Sequence, residues 1–173
     1  MSAPASLLWG LVTLGLAPGI LAHEYAHVAA CRLAGVEVFQ YPRLNPFGRD
    51  AYLDHERVHS FPADLAIAVA PLLVNVPLAV AAFALAATLS SPLLVVPLWL
   101  GGTFALTALP SASDTNRLGV TAENLGPPLR PIGVAVAGGV QGFTRLPGAA
   151  GIVGALLAVG LYGATLDLVA AAG

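Results

Sequence analysis

The sequence predicts an all-α integral membrane protein of about four transmembrane helices, with a short hairpin-like polar insertion between the first two. Composition is the first reason: of 173 residues, 57% are hydrophobic and 9% charged, against about 25% charged in an ordinary soluble domain. Mean hydropathy is +0.83. The second reason is that apolar runs able to cross a hydrocarbon core of about 30 Å recur along the chain, punctuated by Pro, Gly and charged residues. The third is what is missing. Net charge is −2 and all seven basic residues are arginine, so there is no basic surface for nucleic acid and no polybasic anchor for lipid headgroups. Cys31 stands alone, which excludes an internal disulfide. Residues 1–173 read as a single membrane domain: a core over 5–117, a polar or interfacial connection over 118–145, and an additional span over 146–170.

The first apolar run, Ala5 to Ala30, carries no basic residue ahead of it and Ile20 where a cleavage site would want a small residue, so a removed signal peptide is not expected. At about 1.5 Å per residue it is roughly 39 Å long and crosses. Pro18-Gly19 predicts a kink there. From Gly35 to Phe61 charges and breakers dominate; Val36 to Tyr41 alternates like a strand, and Asp50 to Leu53 is placed to return antiparallel to it. A second span is expected from Leu65 to Leu89, with Pro71, Asn75 and Pro77 in its first half, where freed backbone groups must be satisfied by something else. Ser90-Ser91-Pro92 makes a turn. The third span runs from Leu93 to Leu109 and stops at Pro110, the stretch Ile132 to Val140 is too short to cross and reads as interfacial or re-entrant, and Leu146 to Val169 closes the chain. Arg32, Arg43, Arg49, Arg57, Arg117, Arg130 and Arg145 all fall on the side where the first and third spans end, which the positive-inside rule makes cytoplasmic.

Within the first run, His23-Glu24-Tyr25-Ala26-His27 is an HExxH motif. Two histidines four residues apart share one helix face and can grip a single Zn2+, with the glutamate beside the metal's water as a base. Ionisable groups at membrane depth are expensive and usually functional. A hydrolytic zinc needs three protein ligands and an open position. Asp114, just past the third span at the same depth, is the candidate third ligand; its competing reading is a cap on a helix starting near Thr115. Cys31 lies one step further along the histidine face and reads better as a small core residue than as a ligand. If Asp114 pointed away, Glu56, His55 or Cys31 would have to supply the ligand. His55-Glu56-Arg57-Val58-His59 repeats the motif, but Pro62 follows almost at once and leaves little helix to hold ligands rigid. It reads as a surface loop near the entrance of the site.

These residues resemble the site-2 protease family of intramembrane zinc metalloproteases. The likeness rests on His23-Glu24-x-x-His27, on Pro71-x-x-x-Asn75 in the next span, and on Asp114 after the third, and covers about residues 5 to 117. It departs in Ser113-Asp114-Thr115, where the family usually has Leu-Asp-Gly, and in Ala70, where it has glycine before the proline. The resemblance implies one zinc on His23, His27 and Asp114, with Glu24 activating water and Asn75 helping to place the substrate. A transmembrane segment would have to unwind to be cut, and the strand Val36 to Tyr41, through Val36, Val38 and Gln40, could hold it extended by strand addition. The implied protein is a multi-pass enzyme with its site toward the cytoplasmic side, a membrane-protein substrate as partner, and self-association into a homo-oligomer left open. Two other functions fit the same motif: a catalytically silent zinc-binding membrane protein, and a small proton or metal carrier.

Overall fold

In hydrocarbon a single segment can satisfy its own backbone hydrogen bonds only as a helix. The structure, a computed structural model, describes residues 3–45, 53–89 and 92–172. Among these, seven α-helices hold most of the chain: α1 (Ala3–Gly15), α2 (Ala17–Leu33), α3 (Phe61–Thr88), α4 (Val95–Leu106, entered through a 3-10 turn at Pro92–Leu94), α5 (Leu118–Glu123), α6 (Arg130–Thr144) and α7 (Ala149–Ala172). Two of them, over Phe61–Thr88 and Ala149–Ala171, are long and apolar enough to cross a membrane. The α1–α2 pair passes the same test only if its two halves count as one, and Pro92–Leu106 is shorter than a full crossing. Length and composition therefore support two crossings, or three, rather than the four expected.

The first run is not a straight span. It bends by 72° between Gly15 and Ala17, ahead of the predicted kink, because Pro18 sits in the first turn of α2, where its missing N–H would have no helical partner anyway. The Trp99 indole N–H donates to the Gly15 carbonyl at 2.8 Å and pins the end of α1.

The long α3 is the axis of the molecule and packs against α2, α4 and α7. Pro71 and Pro77 lie inside it without ending it. Three apolar clusters surround it. Cys31, Val58 and Ile67 join the end of α2 to the start of α3; Phe61 and Ala68 meet Leu118, Ala122 and Ala137 from α5 and α6; Ala79 and Phe83 meet Ala105 of α4, with Ala158 and Leu161 of α7 behind. The short α5 falls in a stretch whose prolines and charges had suggested only a polar connection. The segment around Ile132 to Val140 is helical and extends to Arg130–Thr144.

Between α2 and α3 a two-stranded antiparallel ladder forms, β1 (Val38–Gln40) with β2 (Asp54–His55), Val38 opposite His55 and Gln40 opposite Asp54, with an irregularity between the pairs. The return strand thus lies slightly later than expected from Asp50 to Leu53; residues 50–52, like Ser90 and Ser91 of the predicted turn, are outside the described residues.

Helix α2 reaches α4 through Gly19. A Cβ at that position would overlap the Thr103 carbonyl oxygen and the Thr107 hydroxyl. Gly19→Ala is therefore expected to lower stability by about 1–3 kcal/mol, the usual cost of overpacking, read as a lower midpoint in thermal or denaturant unfolding in detergent. An unchanged midpoint would show that α2 and α4 are free to separate.

Candidate metal centre

The motif occupies the middle of α2, so His23 and His27 project from adjacent turns of one face. Their Nε2 atoms are 3.2 Å apart, and the rings meet edge to face at 80°. Asp114, on the loop after α4, brings its Oδ2 to 3.4 Å from His23 Nε2 and 3.6 Å from His27 Nε2. These three atoms form a nearly equilateral triangle. A tetrahedral metal with bonds of about 2.0–2.1 Å has its ligand atoms about 3.4 Å apart, so the triangle has the dimensions of one face of such a site.

Proton placement sharpens the fit. His23 Nδ1 lies 2.7 Å from the Thr107 carbonyl oxygen, and His27 Nδ1 lies 2.7 Å from that of Ile67. A carbonyl can only accept, so each Nδ1 carries a proton, and in its neutral form each ring turns a bare Nε2 lone pair toward the other and toward a carboxylate. Three lone pairs facing one point repel unless a cation joins them. Carbonyl partners on the outer nitrogens are also what orient metal-binding imidazoles and make them better donors. The donor set of two nitrogens and one oxygen, with an open fourth side, fits zinc.

Both orienting carbonyls are available because of proline. In a helix the Ile67 carbonyl would accept from the N–H of residue 71, and Pro71 has none. Thr107 caps the end of α4; of the residues that could close a turn onto it, Pro110 lacks an N–H, and the Ser111 N–H donates instead to Asp114 Oδ2 at 2.7 Å. The same Ser111 bond fixes the carboxylate, which is not a helix cap, since α5 begins only at Leu118. Burial alone would raise the Asp114 pKa. An imidazole that carries a proton on Nε2, together with the Ser111 N–H, outweighs it and holds the carboxyl well below the usual carboxylate range.

Asn75 is wholly buried on α3. Its Nδ2 donates to the Gly19 carbonyl at 3.2 Å, the Thr107 carbonyl at 3.2 Å and the Thr107 hydroxyl at 3.0 Å, while its Oδ1 has no partner among the described residues. It thus ties α3 to α2 and to the carbonyl that orients His23, and it does not line the cavity described below. Val36 and Val38 turn into the cluster around Cys31, and Gln40 is exposed; none of the three lines that cavity either, so a part in holding substrate would fall to the backbone edge of β1. Cys31 packs against Val58 and Ile67, apart from the ligand triangle. In the second HExxH, His55 ends a strand and residues 56–59 are not helical, which removes the i, i+4 face that the motif needs.

The triangle opens into a cavity of about 480 Å³. Glu24, half-buried beside His23, is on its wall, and so are Trp9 and Thr13 of α1, Leu53 and His55 of the hairpin, and Asp64 and Arg117. Two features here escape the sequence reading. The carbonyl partners at Thr107 and Ile67 were signalled only by the prolines near them. Asp64 was signalled by its place: it is an acid in the first turn of an apolar span.

Comparison with protein-family models, with curated proteins and with solved structures gives no match.

Proposed function

We propose that the protein is an intramembrane zinc metallopeptidase of the site-2 protease kind, cutting a peptide bond within or at the edge of a substrate's transmembrane segment. The observation that carries this reading is the convergence of His23 Nε2, His27 Nε2 and Asp114 Oδ2 within 3.2–3.6 Å, with both outer imidazole nitrogens already committed to carbonyls. Zinc bound there would act as a Lewis acid on the scissile carbonyl and would lower the pKa of water. Glu24, adjoining His23 on the cavity wall, is the base that takes the water proton and delivers it to the leaving amine. Asn75 acts by fixing Thr107 and, through it, His23. Among the described residues, the pairing of β1 with β2 leaves each strand one further edge, to which an unwound substrate can add.

In this reading the bent α1–α2 pair, α3, the short α4 and α7 make four crossings, and the arginines put the metal centre toward the cytoplasmic face. The test is to purify the protein and Glu24→Gln, measure zinc per chain, and follow cleavage of a single-span substrate. Zinc content is expected to be equal, and cleavage by the variant lower by about 10²–10⁴-fold, the usual contribution of a general base. Full activity in Glu24→Gln would sink the mechanism, and zinc without turnover in the unaltered protein would favour a silent metal-binding protein.

A further inference from the structure

We propose that Asp64 is the specificity determinant of this cavity, binding a cationic Lys or Arg side chain of the substrate on the cytoplasmic flank of the scissile bond. The inference rests on the metallopeptidase reading and gives it a substrate class: membrane spans with a basic residue just inside the cleavage site.

Asp64 is 7% exposed. The Thr121 hydroxyl donates to its Oδ2 at 2.8 Å, and its side chain lines the same cavity as His23, Glu24, His27 and Asp114. Among the described residues no basic nitrogen lies within 4.0 Å of it; Arg117 and His55 share the cavity wall without pairing with it. Neither Asp64 oxygen is sealed off without a partner; with one hydroxyl on Oδ2, the carboxylate keeps acceptor capacity on the cavity wall. A cation entering the cavity completes it.

Position selects which cation. Asp64 lies one turn before Ile67, whose carbonyl orients His27, so along α3 the two are about 4.5 Å apart at about 1.5 Å per residue. The carboxylate is displaced from the metal centre toward the end of α3 that meets the polar connection. A substrate lying across the triangle would present there the residues that follow its span on that side. Transmembrane segments carry their excess of Lys and Arg at the cytoplasmic boundary, which is the charge that Asp64 lacks. Asp64 is outside the group of side chains close enough to share one metal, so its role is separate from that of Asp114.

The test measures binding and cleavage separately. In nanodiscs, Glu24→Gln protein is titrated with Leu/Ala peptides of about 20 residues, each with one Lys stepped through the cytoplasmic end, and with the matching Gln peptides. At one or two adjacent positions Lys is expected to bind about tenfold tighter than Gln, a modest value for a partly desolvated charge pair. In the Glu24→Gln, Asp64→Asn double variant, which can keep the Thr121 bond, that ratio should fall to about one. Equal binding of Lys and Gln peptides at every position would overturn the proposal without any Asp64 variant, as would no binding at all or a Lys preference that survives Asp64→Asn. Cleavage of the same peptides by protein with Glu24 intact tests the other reading: Lys-selective binding without hydrolysis would sink the peptidase and leave Asp64 as a cation site.

Discussion

Asp114→Ala is expected to lose zinc, with affinity falling by more than about 100-fold, since even partners one shell further out typically cost 10–100-fold. The substitution removes one corner of the ligand triangle and leaves the other two in place, because His23 and His27 are oriented by carbonyls of α4 and α3 and not by the carboxylate. Asp114 sits on a loop, and among the described residues its other hydrogen bonds are to Ser111. The metal-free variant should therefore unfold close to where the metal-free parent does. The difference should appear on adding metal. A ligand that binds only the folded state adds about 2.7 kcal/mol at 100 times its dissociation constant, so zinc should raise the unfolding midpoint of the parent and not that of Asp114→Ala. A variant that keeps one zinc per chain at parental affinity would show that the third ligand is another residue.

Pro71→Ala is expected to weaken zinc binding while leaving the helix itself better formed. Alanine is about 3 kcal/mol more favourable than proline inside a helix, and this offsets packing lost from a ring that is fully buried here. Yet the new N–H at position 71 would reach for the Ile67 carbonyl, which now accepts from His27 Nδ1 at 2.7 Å. Competition for that oxygen loosens the imidazole and its tautomer, and the expected loss is about 10–100-fold in metal affinity, the range for an orienting partner. Zinc titration against a chelator, alongside the unfolding midpoint of the metal-free protein, separates the two effects. A purely structural proline would give the opposite pattern, with stability lost and affinity kept. Unaltered affinity in a well-folded Pro71→Ala protein would mean that the Ile67 carbonyl does not govern His27.

How much of this could be read from the chain depended on the range over which each feature is determined. The pairing of His23 with His27 is a property of one helix and follows from their spacing. The approach of Asp114 needed only that α3 and α4 return the chain to the level of the motif, and the structure brings it there. The orienting carbonyls were beyond reach because they depend on which helix end meets which imidazole, a matter of packing between α2, α3 and α4; the prolines said only that such carbonyls existed. The bend was misplaced by reading Pro18 as a breaker inside a helix when it is the natural second residue of a new one. α5 entered only as the competing reading of Asp114, a helix starting near Thr115, because six residues are too few for a hydrophobic period to show; Leu118, Thr121 and Ala122 are buried against neighbours. Asp64 was passed over because one acid at the head of an apolar run looks like ordinary helix-start chemistry until a cavity is found on its other side.

The dependence of His23 on Thr107 also has a consequence in time. The carbonyl that fixes this imidazole lies 84 positions further along the chain. At translation rates of about 5–20 residues per second, it leaves the ribosome about 4–17 seconds after the histidine does. Throughout that interval His23 has no set tautomer and no carboxylate faces it, while His27 gains its partner earlier, from Ile67, 40 positions along the chain. On the proposed function, metal capture therefore belongs to the end of biosynthesis, after α4 has been made, and a chain truncated before Thr107 should emerge metal-free however well its first helices have folded.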